Sequence, residues 1–80
     1  MDWKLSDVAW IRLREMKRAG VDAGQLYRQM EHTLKNLEEV PVILRQGKLF
    51  AIPVGRWRIV VREERAGVLT VLDVEPRFPI

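Results

Sequence analysis

The side chains best suited to chemistry in this sequence are cations: Lys48, Arg56, Arg58, Arg62 and Arg77. Arg58 stands inside an otherwise β-prone run, Trp57-Arg58-Ile59-Val60-Val61, that follows the turn signal Val54-Gly55-Arg56. Side chains alternate along a strand, so Arg56, Arg58, Val60 and Arg62 share one face while Trp57, Ile59 and Val61 share the other. A guanidinium is a permanent charge whose fork of N–H donors matches the oxygens of phosphate or carboxylate. Several of them held on one sheet face among apolar side chains would make a candidate surface for binding an anionic partner. The same residues have a plainer use, because Asp73 and Glu75 on the next strand are within cross-strand reach of Arg58.

Other chemistry is thinly provided. There is no cysteine, which removes disulfides, thiolate metal sites and cysteine nucleophiles together. The one histidine, His32, follows Glu31 in a helical stretch and reads as a surface or boundary residue, so neither a metal nor another cofactor is expected. Glu38-Glu39 and Glu63-Glu64 are adjacent carboxylates whose side chains diverge on a helix or strand, and they read as solvated charge. Trp57 reads as core rather than as a platform for stacking bases, and Trp3, Trp10 and Tyr27 as packing residues.

The chain has 80 residues, 48% hydrophobic and 31% charged, which fits one small globular domain over residues 1–80. No run approaches the roughly 20 apolar residues of a membrane span, and Met-Asp-Trp-Lys does not open like a signal peptide. A cytoplasmic protein with no membrane partner is the expectation. The net charge of +3 favours an acidic or polyanionic partner.

The elements that must position the cations follow from periodicity. Trp3-Lys4-Leu5 alternates as a short leading strand would. Ser6 is an N-cap for a helix over residues 7–19, with Asp7 in its first turn and Lys17 and Arg18 in its last. Ala9, Leu13 and Met16 form the apolar stripe, broadened by Val8, Trp10 and Ile11. A second helix starts at Asp22, with Gln25 in capping-box spacing, presents Leu26, Met30, Thr33, Leu34 and Leu37, and ends by Glu39 or Val40 before Pro41. Gly20-Val21 is too short a link for anything but an antiparallel helix hairpin. From Pro41 onward the pattern is β: a brief apolar Val42-Ile43-Leu44, then strands over 49–52, 57–62 and 68–74, with Pro53 marking an edge or a strand end. The fold class predicted is α+β, a helix hairpin packed on one face of an antiparallel sheet of three to four strands. The face without helices carries the arginines. Apolar residues on both sheet faces also make a homodimer an option.

With these residues in view, the chain resembles the RelE/ParE superfamily of toxins from bacterial toxin–antitoxin pairs. The likeness lies in residues 49–61, Leu-Phe-Ala-Ile-Pro-Val-Gly-Arg-Trp-Arg-Ile-Val-Val, and 68–77, Val-Leu-Thr-Val-Leu-Asp-Val-Glu-Pro-Arg, after two amphipathic helices. The resemblance implies a small toxin held in check by a protein antitoxin. RelE-like members cut messenger RNA on the ribosome without a metal; ParE-like members inhibit DNA gyrase. Carried onto this chain, Arg58 would be the central phosphate-binding catalytic residue and Arg77 the one at the sheet end. Lys48, Arg56 and Arg62 would be auxiliary nucleic-acid-binding cations, inferred from geometry alone. Ala51 and Pro53 stand where many relatives carry polar or basic residues, and Glu75-Pro76-Arg77 replaces a Gly-His-Arg type of ending. A gyrase inhibitor, or a non-toxic relative that only binds an antitoxin or nucleic acid, therefore stays open beside the endoribonuclease.

Overall fold

In a computed structural model that describes residues 2–37, 44–65 and 67–77, the order of elements is β1 (Asp2–Leu5), α1 (Asp7–Arg18), α2 (Ala23–Lys35), β2 (Leu44–Gln46), β3 (Leu49–Val54), β4 (Trp57–Arg65) and β5 (Val68–Pro76). Both helix starts are set by their caps. The Ser6 hydroxyl accepts from the Ala9 amide at 3.1 Å, and the Asp22 carboxylate accepts from the Gln25 amide at 3.0 Å. Between the helices Gly20 takes a φ of +94°, the left-handed residue a tight helix exit needs. The second helix stops at Lys35, earlier than the expected Glu39 or Val40. Asn36 ends it: its backbone leaves helical geometry at φ −116° and ψ 38°, and its side-chain amide donates to the His32 carbonyl at 2.8 Å. Glu38, Glu39 and the run 40–43 lie outside the described residues.

The sheet has five strands in the order β1-β5-β4-β3-β2. It is mixed rather than antiparallel, and larger than the three to four strands expected. The last four strands form an antiparallel meander, while β1 pairs in parallel with β5, Asp2 opposite Val68 through Leu5 opposite Val71. No turn joins β1 to β5, so no local residue pattern sets their relative direction. What holds β1 there is its continuation: the Ser6 amide donates to the Val71 carbonyl at 2.9 Å and the Ser6 hydroxyl to the Leu72 carbonyl at 3.1 Å, which locks the start of α1 onto β5.

The turn at Gly55-Arg56 has two central residues, with Gly55 at φ +59° and Arg56 on the negative side, the pattern of a type II′ hairpin. The pair closing such a turn, Val54–Trp57, is a hydrogen-bonded pair, so the next pair, Pro53–Arg58, is not. The Pro53 nitrogen therefore faces away from β4, towards an edge that β2 covers only as far as Ala51. Pro53 thus lies inside a strand that runs to Val54, beyond the expected end at Ile52, without losing a ladder bond.

The core lies between the helix hairpin and one sheet face. Ala9, Leu13 and Met16 of α1 and Leu26, Met30 and Leu34 of α2 meet Phe50, Ile52, Val54, Ile59, Val61, Leu69, Val71 and Val74, with Trp3 and Trp57 packed at the margin. The α1 stripe is narrower than predicted. Val8, Trp10 and Ile11 are more than half exposed, at 56%, 53% and 56%. Along β5, Val71 and Val74 both point inwards although they are three residues apart, because the register slips between Val60 and Val61 and leaves Leu72 as an extra residue in a bulge. Among the described residues no helix is long and apolar enough to cross a membrane.

Candidate functional site

The bulge decides what faces Arg58. Through it the β4–β5 register sets Arg58 opposite Glu75 and Val60 opposite Asp73. Nε and Nη2 of Arg58 converge on Oε1 of Glu75 at 2.9 and 2.8 Å, with both side chains about one third exposed. Asp73 goes elsewhere: its Oδ1 accepts from the Val74 amide at 2.7 Å and from Arg12 Nε of α1 at 3.2 Å. That hydrogen bond, followed by the charge of Asp73, raises the already high pKa of Arg12. Arg62 turns along its own strand to Glu64, Nη2 to Oε1 at 2.9 Å, and this bond is the chief reason the Glu64 carboxyl sits below its ordinary range. Ion pairs this exposed hold a side chain in place but add little to stability.

The five cations singled out in the sequence fall into two groups. Arg56, Arg58 and Arg77 lie at one end of the sheet: the Arg77 amide donates to the Arg56 carbonyl at 2.9 Å, one step beyond the Trp57–Pro76 pair. Lys48 and Arg62 lie at the other, where the Glu63 amide donates to the Lys48 carbonyl and Arg62 pairs with Leu49. Lys48 and Arg56 sit in the turns at opposite ends of β3, roughly 25 Å of extended chain apart. The structure gathers Arg56, Arg58 and Arg77 into one neighbourhood and leaves Lys48 and Arg62 out of it.

Between the groups the open face is apolar. Leu49, Ala51 and Val60 form the floor of a shallow hollow of about 180 Å³, walled by Gln46, Arg58 and Glu75. No protein-family model matches this chain, and no curated protein or solved structure does either. The fold stands as α+β with two helices on a mixed sheet, and the likeness to RelE/ParE toxins rests on residues 49–61 and 68–77 alone.

A second concavity drew no notice in the sequence. Gln25, Arg28, Gln29 and His32 of α2 face the backbone of Pro53 and Gly55 across an open cleft of about 470 Å³. Their spacing of three and four residues is the signal that would have found it, since it stacks them along one helix face. Among the described residues no three His, Asp or Glu side chains converge as metal ligands would.

Proposed function

We propose that this chain is a cytoplasmic RelE/ParE-type toxin-like protein whose helix-free sheet face meets RNA at the ribosome, with Arg58 and Arg77 as its catalytic pair. The observation that carries the reading is the backbone proximity of Arg56, Arg58 and Arg77 at one end of the sheet, with Arg58 beside an apolar floor. A phosphodiester laid there would have its non-bridging oxygens against guanidinium groups. Attack of the neighbouring 2′-hydroxyl forms a new O–P bond and expels the 5′-oxygen, leaving a cyclic phosphate and a free 5′-hydroxyl. The charge that builds on phosphorus-bound oxygen is what the arginines stabilise, and no metal enters the scheme. In this reading Glu75, held at Oε1 by Arg58, would accept the 2′-hydroxyl proton. An antitoxin is the protein partner of this reading, and exposed Val8, Trp10 and Ile11 on α1 offer it apolar surface.

One observation favours a second reading, a non-catalytic relative that inhibits gyrase or only binds. Arginine is a poor proton donor near neutral pH, and Arg56, Arg58 and Arg77 include no group of ordinary acidity for the departing 5′-oxygen. Expression in a bacterial host tests both readings. Growth arrest with ribosome-dependent RNA ends, lost in Arg58→Ala and in Glu75→Gln, supports the nuclease. Arrest with intact RNA and inhibited supercoiling supports the gyrase reading. Normal growth together with no affinity for RNA overturns the toxin-like assignment.

A further inference from the structure

We propose that the cleft between α2 and the β3–β4 turn is a binding site for a phosphate monoester, of the kind carried by a nucleoside 5′-phosphate, separate from the open sheet face. Arg28 and His32 are four residues apart on α2, one turn from each other, and both line the cleft. Gln25 and Gln29 lie on the same row and add amide N–H donors.

The charge pattern here differs from the rest of the molecule. Among the described residues no carboxylate lines the cleft, and Arg28 is the permanent charge on its wall, with His32 one turn further along. Neither forms an ion pair with a described residue. Of the acids on this helix and at its cap, Glu31 holds Lys35 at 2.9 Å, and Asp22 caps the Gln25 amide. An anion entering the cleft displaces no internal carboxylate.

The opposite wall suits the remainder of a nucleotide. Because Pro53 belongs to a pair not hydrogen-bonded to β4, its carbonyl points away from β4, beyond Ala51 where β2 ends. That carbonyl is an acceptor for a ribose hydroxyl or a base amine. Gly55 lets the turn come close: a Cβ there would stand 3.4 Å from Gln29 Oε1. A volume of about 470 Å³ lies within the usual range of small-ligand pockets, roughly 300–1,000 Å³.

The test is a two-dimensional amide NMR titration of the folded full chain with adenosine 5′-monophosphate, adenosine and inorganic phosphate. The proposal expects saturable shifts in residues 25–33 and at Gly55 with the monophosphate, and affinity at least tenfold weaker for adenosine. Arg28→Gln and His32→Gln should each weaken monophosphate binding about tenfold, with spectra that otherwise keep the native dispersion. Lys17→Gln removes the same charge from α1, and Arg58→Ala removes it from the open face; both should leave the affinity unchanged. Comparing short RNA with 5′-phosphate and 5′-hydroxyl ends at the amides of residues 25–33 then separates the sources: a 5′-phosphorylated RNA that binds there much more tightly than both its 5′-hydroxyl form and the mononucleotide marks an RNA end, and affinity equal to that of the mononucleotide marks a free nucleotide. No shifts at millimolar ligand, shifts outside the cleft, or equal losses in Arg28→Gln and Lys17→Gln overturn the proposal. Because Arg58→Ala is a control here, failure of this site and failure of the sheet-face reading give different results.

Discussion

The open sheet face and the α2 cleft use their cations in opposite ways. On the sheet, Arg58 lies against Glu75 and Arg62 against Glu64, so the face is rich in arginine yet locally neutralised. In the cleft, Arg28 and His32 face polar amides and a backbone edge, with no carboxylate among the described lining. A count of basic residues therefore ranks the two surfaces in the wrong order. What a surface offers an anion depends on whether its charges already have partners, since a ligand for the sheet must first compete with a carboxylate. On the sheet, cross-strand geometry supplies that carboxylate as a consequence of pairing; on the helix, Glu31 is taken up by Lys35.

The largest expected effect comes from removing what both surfaces stand on. Ile59 is fully buried between Arg58 and Val60 in β4, and Ile59→Ala should cost about 2–5 kcal/mol in a urea unfolding titration. Both surfaces should fail together, and retention of either one would show that it does not depend on the shared core. Next comes Gly55→Ala. The φ of +59° disfavours a side chain by about 1–2 kcal/mol, while the new methyl would meet Gln29 Oε1 at an ordinary contact distance. Nucleotide binding in the cleft should suffer more than the affinity of the sheet face for RNA.

Much of this frame was legible in the sequence, for reasons that separate local from distant information. Ser6 and Asp22 mark helix starts because a cap is a contact between near neighbours. Ile59 inwards and Arg58 outwards follows from the two-residue period of a strand. The parallel β1–β5 pairing was not legible, since nothing near Trp3 encodes the direction of a strand more than sixty residues away. Nor was the choice of Glu75 over Asp73 as partner of Arg58. The bulge at Leu72 settles it by shifting the register one residue and giving Asp73 to Arg12. Val8, Trp10 and Ile11 read as core because a helix stripe can be drawn wider than the surface available to cover it. The cleft escaped because His32 was judged as a lone residue, whereas its meaning comes from Arg28 one turn earlier and from a turn that only the tertiary fold brings near.

Smaller effects sharpen the contrast directly. Glu75→Gln frees Arg58 while keeping the side chain's shape, and it should raise the affinity of the sheet face for a short RNA several-fold, with a steeper salt dependence. The same substitution should leave nucleotide binding in the cleft unchanged. In a double-mutant cycle of Arg58→Ala with Glu75→Gln, the coupling in unfolding free energy should stay below about 1 kcal/mol, as for other half-exposed pairs. A larger coupling would mean that the pair is a structural clasp and that the face is closed to anions.

The smallest effect is the acid response of Glu64. Its folded-state pKa is lowered, chiefly by the hydrogen bond from Arg62, so folding favours its ionised form. The stabilisation is therefore complete above the ordinary carboxyl range, near pH 4.3, and is lost as pH falls through the lowered folded value. A series of thermal melts from pH 6 downwards should show the midpoint of the native chain falling slightly more than that of Glu64→Gln, which has no carboxyl to protonate. The two curves should run parallel above pH 6, where Glu64 is ionised in both the folded and the unfolded chain. If the variant instead steepens the acid loss, Arg62 is not the group that holds Glu64 ionised, and the neutralised character of that end of the sheet has to be assigned to other partners.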